Sequence, residues 1–168
     1  MKSVLLYIKP ANLILGLLVL SCIGIGFIVV RDLIRTPNDY ASIGFNYAEK
    51  QDFRNAYRFL KKAADKGHID AQYKLALMFD VGDKIPEDRH QALKYMKMAS
   101  EQGMADACYA LAVWQERGYP TGQDPIDLYE KAAQQGNKNA MTSLIVRYEG
   151  INPERQLYWY NKLNGRQN

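Results

Sequence analysis

The chain repeats a short motif three times, with a glycine at the same place in each copy. The copies read KKAADKGHIDA at 61–71, KMASEQGMADA at 97–107 and EKAAQQGNKNA at 130–140. Their glycines, Gly67, Gly103 and Gly136, are separated by 36 and then 33 residues. Self-similarity at this period predicts stacked helical hairpins, an architecture that binds partners far more often than it catalyses reactions.

Each copy has the pattern of a helix, a glycine and a second helix. The glycine supplies the left-handed backbone conformation that commonly ends a helix. Apolar residues then recur at spacings of three and four, which places them on one stripe of the helix that follows. These predicted core positions are Ala71, Leu75, Met78 and Phe79 in one copy, Ala107, Leu111 and Trp114 in the next, and Ala140, Leu144 and Tyr148 in the third.

Less regular copies at both ends complete an all-α fold, an α-solenoid of about four helical hairpins over 38–164. The first hairpin begins with Ile43-Gly44-Phe45-Asn46-Tyr47, and its second helix is predicted from about Asp52 to Lys66. Asp52, Asp88 and Asp124 are predicted helix caps, and Asn152-Pro153 opens the last helix. The glycine- and proline-containing loops 81–87 and 118–123 are predicted hairpin turns.

The repeated Lys/Glu-x-Ala-x-x-x-Gly-x-x-x-Ala core, with Ile43-Gly44-x-x-Tyr47 and Asp52-x-x-x-Ala56 before it, resembles the Sel-one-like repeat (SLR) family. This family is related to the tetratricopeptide repeats. The resemblance covers 38–164 and departs from the family at one position, where the glycine kept at Gly44 becomes Ala76, Ala112 and Ile145. It implies a scaffold or adaptor that binds other proteins, and many bacterial members are secreted or membrane-attached.

An apolar segment precedes the repeats. Residues 11–30 are apolar apart from Asn12 and Ser21, and twenty helical residues span about 30 Å, the thickness of a hydrocarbon core. We therefore predict a short tail at 1–10, a single transmembrane helix at 11–30, a linker at 31–37 and a tail at 165–168. Val19-Leu20-Ser21-Cys22 also approximates a lipobox, so a lipoprotein anchored at Cys22 is the alternative.

The orientation of this segment follows from a small excess of positive charge. Lys2, Lys9 and the terminal amine precede it, whereas Arg31 and Arg35 follow it. The positive-inside rule then favours a cytoplasmic N-terminus and, in a bacterial inner membrane, a periplasmic repeat domain.

The basic charge of the chain belongs largely to the anchor. Four of the 22 Lys and Arg residues and one of the 18 Asp and Glu residues flank the apolar segment, which leaves the repeat region with a net charge of +1. A nucleic-acid-binding domain concentrates positive charge on its folded part, so we expect no nucleic-acid partner.

Patterns typical of an enzyme are few. His68 lies in an inter-helix joint and His90 near the start of a helix, neither in a metal-ligand or nucleophile pattern. The acidic turn at 80–88 lacks the spacing of a calcium loop. Cys108 is expected to be a packed structural thiol. We expect no catalysis, cofactor, metal or small-molecule substrate. The alternative is an enzyme that uses the 80–88 turn or the two histidines.

A candidate partner-binding surface follows from helical geometry. Each copy of the motif ends in an alanine, Ala71, Ala107 or Ala140. Positions two and nine residues after this alanine point away from the predicted core. The resemblance implies that these helices line the concave face of the solenoid. Position two is Tyr73, Tyr109 and Thr142, and position nine is Asp80, Glu116 and Glu149. Tyr73, Tyr109, Asp80, Glu116 and Glu149 are the predicted partner-binding residues, because tyrosine is a common interface anchor.

Two other roles are possible for the same residues. Tyrosines in helical repeats often pack against the neighbouring hairpin, and the acids have Lys84, Arg117 and Arg147 as possible ion-pair partners. The sequence thus predicts a membrane-anchored adaptor that binds a protein through its repeats. An immunity protein that neutralises a secreted antibacterial toxin in the envelope is the alternative.

Overall fold

Eight α-helices make up the part of the chain that the structure describes. The computed structural model describes residues 35–82 and 86–166, and within these ranges there is no β-strand. The helices are α1 (Pro37–Glu49), α2 (Phe53–Asp65), α3 (Ile69–Val81), α4 (Arg89–Glu101), α5 (Ala105–Glu116), α6 (Pro125–Gln134), α7 (Lys138–Tyr148) and α8 (Pro153–Leu163).

The helices form four hairpins stacked in chain order. Packing is most extensive within the pairs α1–α2, α3–α4, α5–α6 and α7–α8, and each pair then packs on the next through α2–α3, α4–α5 and α6–α7. The prediction of an all-α solenoid of four hairpins is confirmed.

The predicted helix ends are confirmed at the level of individual hydrogen bonds. Asp52 and Asp88 accept from the backbone N–H groups of Asn55 and Gln91, and Asp124 accepts from Ile126. Gly67, Gly103 and Gly136 have φ of 92°, 90° and 93°, a region that an L-residue enters only with strain. Each motif glycine therefore lets the chain reverse tightly between two hairpins.

Small residues at the helix contacts let the hairpins pack closely. Ala56, Ala63, Ala99 and Ala132 are fully buried, and the larger side chains Leu60, Leu75, Tyr95, Leu111, Tyr129 and Leu144 fill the space between them. The predicted core stripe is correct except at Met78, which is half-buried, because Phe79 takes the buried position there. The α3 helix also runs through Val81, one residue into the predicted turn.

The predicted transmembrane helix at 11–30, with Cys22 inside it, lies outside the described residues. None of the helices between residues 35 and 166 that the structure describes is long and apolar enough to cross a membrane.

Candidate binding surface

The tyrosines of the predicted surface are half-buried against the core. Tyr73 and Tyr109 both pack beside core side chains, and the Tyr109 ring lies 5.7 Å from that of Tyr129. Burial, with a smaller contribution from the charge of Asp106, raises the pKa of Tyr73. Thr142, at the same position of α7, is exposed and donates its hydroxyl to the Lys138 carbonyl at 3.0 Å. Each tyrosine thus presents one edge to solvent and stabilises the solenoid with the other.

An aliphatic row lies beside the tyrosines and was missed by the sequence analysis. Leu77, Val113 and Val146 lie six residues after the alanine that ends each motif copy. On a helix this position is within about 60° of positions two and nine. Leu77 and Val113 are half-buried, whereas Val146 is 62% exposed. The sequence signal for this row is that all three residues are aliphatic at the same position of the repeat.

Asp80, the first acid of the predicted row, is bound by the next hairpin. Tyr119, in the loop after α5, donates its hydroxyl to Asp80 Oδ1 at 2.6 Å, and this hydrogen bond is the main cause of the raised pKa of Tyr119. The same ring stacks on Trp114 and lies beneath the Arg89 guanidinium, 5.2 Å from its centroid. Asp80 therefore joins the second hairpin to the third.

Glu116 has the same role one repeat later. Tyr129 donates its hydroxyl to Glu116 Oε2 at 2.9 Å, and Arg147 of the following hairpin forms an ion pair with Glu116 Oε1. The Arg147 guanidinium also lies 4.4 Å from the centroid of the Tyr129 ring. Burial and the hydrogen bond to Glu116 raise the pKa of Tyr129 to about 12. The pairing of Arg147 with an acid of the row, left open by the sequence, is thereby confirmed for Glu116.

Glu149 differs from the other two acids. It is exposed after the last residue of α7, and its carboxylate makes no hydrogen bond or ion pair with residues 35–82 or 86–166. Two of the three carboxylates of the predicted row thus already join the hairpins, and the third has no partner among the described residues.

The same combination of a tyrosine, an acid and a cation occurs at two further contacts. Tyr95 donates to Asp65 Oδ1 at 2.7 Å, and Asp65 also binds Lys61 at 2.6 Å. Tyr148 donates to Glu130 Oε1 at 2.6 Å, where Arg155 forms an ion pair. These acids lie in second helices, at the fifth and the first position of their copies of the repeat motif, so no shared register marked them. Polar contacts of this kind are how this chain fixes one hairpin on the next.

Amide side chains link the joints in a second way. Gln102 donates to Gln72 Oε1 at 2.6 Å, and Asn137 donates to Asp106 Oδ1 at 2.7 Å while its own oxygen caps α7. Cys108 is fully buried, with Sγ 2.9 Å from the Ser100 hydroxyl. This burial agrees with the structural role expected of the thiol.

Three residues of the enzymatic alternative, His68, Glu87 and Asp88, have structural partners. His68 caps α3 by accepting from the Ala71 N–H at 3.3 Å, and His90 is exposed in the first turn of α4. In the acidic turn Glu87 binds Arg89 at 2.8 Å, and Asp88 caps α4. The described part of the turn and of the chain holds no group of three potential metal ligands. This geometry offers no juxtaposed acid, base and nucleophile among these residues.

Comparison with solved structures identifies the fold. A protective antigen of uropathogenic Escherichia coli with an SLR fold is similar over 79% of this chain, with 24% identity and a TM-score of 0.70. A Sel1 repeat protein from Oxalobacter formigenes is similar over 80% of this chain, with 25% identity and a TM-score of 0.67. The matched regions are 31% and 60% of those two chains, so both extend beyond the part that this chain covers.

The comparison by sequence identifies the family. No curated protein matches this sequence. The sequence profile of the Sel1 repeat matches residues 44–68, 69–104 and 105–137, which together are more than half of the chain and contain helices α2 to α6. The chain belongs to the Sel1 repeat family.

Proposed function

We propose that this protein is a membrane-anchored adaptor that binds a protein partner along the outward stripe of its first helices. The stripe comprises Tyr73, Tyr109, Leu77, Val113 and Val146. Sel1 repeat proteins generally mediate protein–protein interactions, which supports binding as the function class. The proposed mechanism is surface complementarity on a rigid scaffold, without chemistry.

The observation that carries this proposal is a line of apolar groups in register, of which one is mostly exposed and two are half-buried. Val146 is 62% exposed although its helix has a well-filled core face, and the half-buried Leu77 on α3 and Val113 on α5 continue the same line. Half-buried tyrosines alongside offer rigid amphipathic area at low entropic cost. The carboxylate of Glu149 is the polar group at the end of this line that has no partner among the described residues. A partner chain lying across the three helices would cover all of these groups together.

The anchor and its orientation are part of the proposal. The apolar segment 11–30 has the length of a membrane-spanning helix, and the slight charge asymmetry favours repeats on the periplasmic side of a bacterial inner membrane. Resistance of the full chain to alkaline carbonate extraction, with the repeats accessible to protease only from the periplasm, is the expected result. Release by carbonate, or protection of the repeats in spheroplasts, would contradict it.

Site-specific photocrosslinking in intact membranes tests the binding stripe. A photoreactive amino acid at Val146 is expected to give one discrete protein adduct. The matched control is the same amino acid at Leu157 on α8, which is similarly exposed at 59% but lies off the stripe. Adducts of equal yield at both positions, or none at Val146, would overturn the assignment of the surface.

A substitution completes the test. Val146→Asp places a charge where apolar contact is proposed, and because the side chain is mostly exposed we expect folding to be unaffected and the adduct to disappear. Leu157→Asp is expected to leave partner capture intact. A single tight partner whose toxicity the protein relieves would favour the immunity role, whereas several weaker partners would favour the adaptor.

A further inference from the structure

Helix α2 carries a straight row of positive charge on its outer surface. Arg54, Arg58, Lys62 and Lys66 follow one another at intervals of four and are all exposed. At 1.5 Å per residue the row is about 18 Å long. It lies opposite the buried stripe formed by Ala56, Leu60, Ala63 and Ala64. The basic row is thus exposed along α2, and its two lysines border the core residue Tyr40.

The row is specific to the first hairpin. With the cap residues included, α2 has five basic and two acidic residues. By the same count α4 has three basic and two acidic residues, and α6 has one basic and three acidic residues. The net charge of the second helices is therefore +3, +1 and −2 in the first three hairpins, and α8, with two basic residues and one acidic residue, has +1. The net charge of the repeat region, +1, does not reveal this uneven distribution of charge among the helices.

Most of this charge is not neutralised within the fold. Lys61 is paired with Asp65, but Arg54, Arg58 and Lys66 have no carboxylate within ion-pair distance in the described part of the chain. Lys62 and Lys66 lie 5.3 and 5.9 Å from the Tyr40 ring, and Arg58 lies 4.9 Å from the Phe59 ring. Like charges four residues apart repel one another on a helix. Repulsion within the row therefore costs stability, and an anionic partner outside the fold would relieve it.

We propose that the basic row of α2 binds the anionic headgroup surface of the membrane in which the chain is anchored. This inference rests on the anchor of the proposed function. Only six residues, 31–36, separate the predicted membrane segment from the start of α1, and six extended residues reach at most about 22 Å. The net positive charge of the second helices is greatest at that end. Each Lys or Arg near an anionic surface strengthens binding by roughly fivefold at low salt. Seating α2 on the lipid leaves the stripe of the first helices to the protein partner.

Residue-resolved amine labelling of the full chain in vesicles tests this contact. We compare vesicles of phosphatidylcholine alone with vesicles that contain about 30 mol % phosphatidylglycerol, using a reagent that does not cross the bilayer. Labelling of Lys66, read by mass spectrometry, is expected to slow several-fold in the anionic vesicles and to recover in about 0.5 M NaCl. Lys97 on α4 and Lys131 on α6 should be labelled equally in both.

Charge reversal supplies the variants. Arg54→Glu with Arg58→Glu should abolish the protection of Lys66 while the helical circular dichroism stays native, whereas Lys94→Glu with Lys97→Glu should keep it. Equal labelling of Lys66 in both vesicle types overturns the inference, as does protection that appears only when RNA or an acidic peptide is added. Carbonate extraction of the same vesicles reports on the anchor separately. If carbonate releases the chain, flotation still tests the basic row. Flotation with anionic but not neutral vesicles supports the row as the binding surface, and flotation with neither contradicts it.

Discussion

Gly44 lies where the two helices of the first hairpin approach each other closely. A Cβ atom added there would lie 2.8 Å from Leu60 Cγ and 2.9 Å from the Leu60 backbone nitrogen. A side chain can turn away from such a contact, but a backbone nitrogen in a packed helix cannot. The equivalent residues Ala76 and Ala112 are buried alanines, so their hairpins are spaced to accept the extra atom.

Gly44→Ala is therefore expected to lower the free energy of unfolding by about 1–3 kcal/mol. The effect opposes the helix propensity of alanine, which would favour the substitution by about 1 kcal/mol. Chemical denaturation measures the change. The control is Asn46→Ala on the exposed face of the same helix, for which we expect a change within about 0.5 kcal/mol. A Gly44→Ala protein as stable as the parent would show that the hairpin can widen freely.

Glu116 and Glu149 occupy the same position in successive repeats but have different surroundings. Glu116→Ala leaves the buried hydroxyl of Tyr129 and the guanidinium of Arg147 without their acceptor, and a loss of about 1–3 kcal/mol in stability is expected. Glu149→Ala removes an exposed carboxylate that has no partner in the described residues, so its stability should change by less than about 0.5 kcal/mol. Equal losses in the two variants would refute the assignment of Glu116 as a link between hairpins.

At the scale of the helices, the hairpin is the unit that folds and unfolds. Among the eight described helices, extensive packing joins those that are neighbours in the chain. Stability in such an array is close to a sum of hairpin and nearest-neighbour contributions. The terminal hairpin α7–α8 depends on one neighbour alone, and Trp159, at 3% exposure, is the buried side chain that α8 contributes.

Trp159→Ala is expected to remove about 3–5 kcal/mol from the last hairpin. Amide hydrogens of α7 and α8 should then exchange much faster, while those of α1 and α2 keep their protection. Hydrogen exchange resolved by peptide or by residue measures this. Tyr160→Ala, on the same helix but 45% exposed, is the matched control and should leave both ends protected. Simultaneous loss of protection in all four hairpins would mean that the solenoid unfolds as one cooperative unit.

At the scale of the molecule, the links between tyrosines and acids make stability depend on alkaline pH. Burial and hydrogen bonds to Asp65 and Glu116 raise the pKa values of Tyr95 and Tyr129 to about 12. In the unfolded chain a tyrosine loses its proton near pH 10. Between these values the unfolded state holds fewer protons than the folded state, so stability falls as pH rises.

The free energy of unfolding is thus expected to change little on account of these tyrosines below about pH 10 and to decrease from there towards pH 12. Urea denaturation at a series of pH values measures the slope. Tyr129→Phe lacks one titrating hydroxyl, and although less stable near neutral pH it should show a shallower alkaline decline. An unchanged slope in that variant would exclude Tyr129 as a source of the pH dependence.

The local features of this protein could be predicted because their causes are local. Asp52, Asp88 and Asn152 cap helices through atoms only three residues away, and the motif glycines adopt positive φ whatever packs around them. The period of the motif gave the number of hairpins, and the spacing of apolar residues gave the core face of each. Met78 is an exception to that rule, because the adjacent Phe79 occupies the buried position.

The sequence by itself determined that this chain is a stack of four helical hairpins, because backbone conformation and apolar periodicity are set within each repeat. Only the tertiary structure decided which side chains of the outward stripe are already engaged. Tyr119 lies 39 residues from Asp80, and Arg147 lies 31 from Glu116, so their contacts depend on how one hairpin seats on the next. Those contacts assign two of the acids to stability and leave the aliphatic row, with its tyrosines, as the surface to test for a partner.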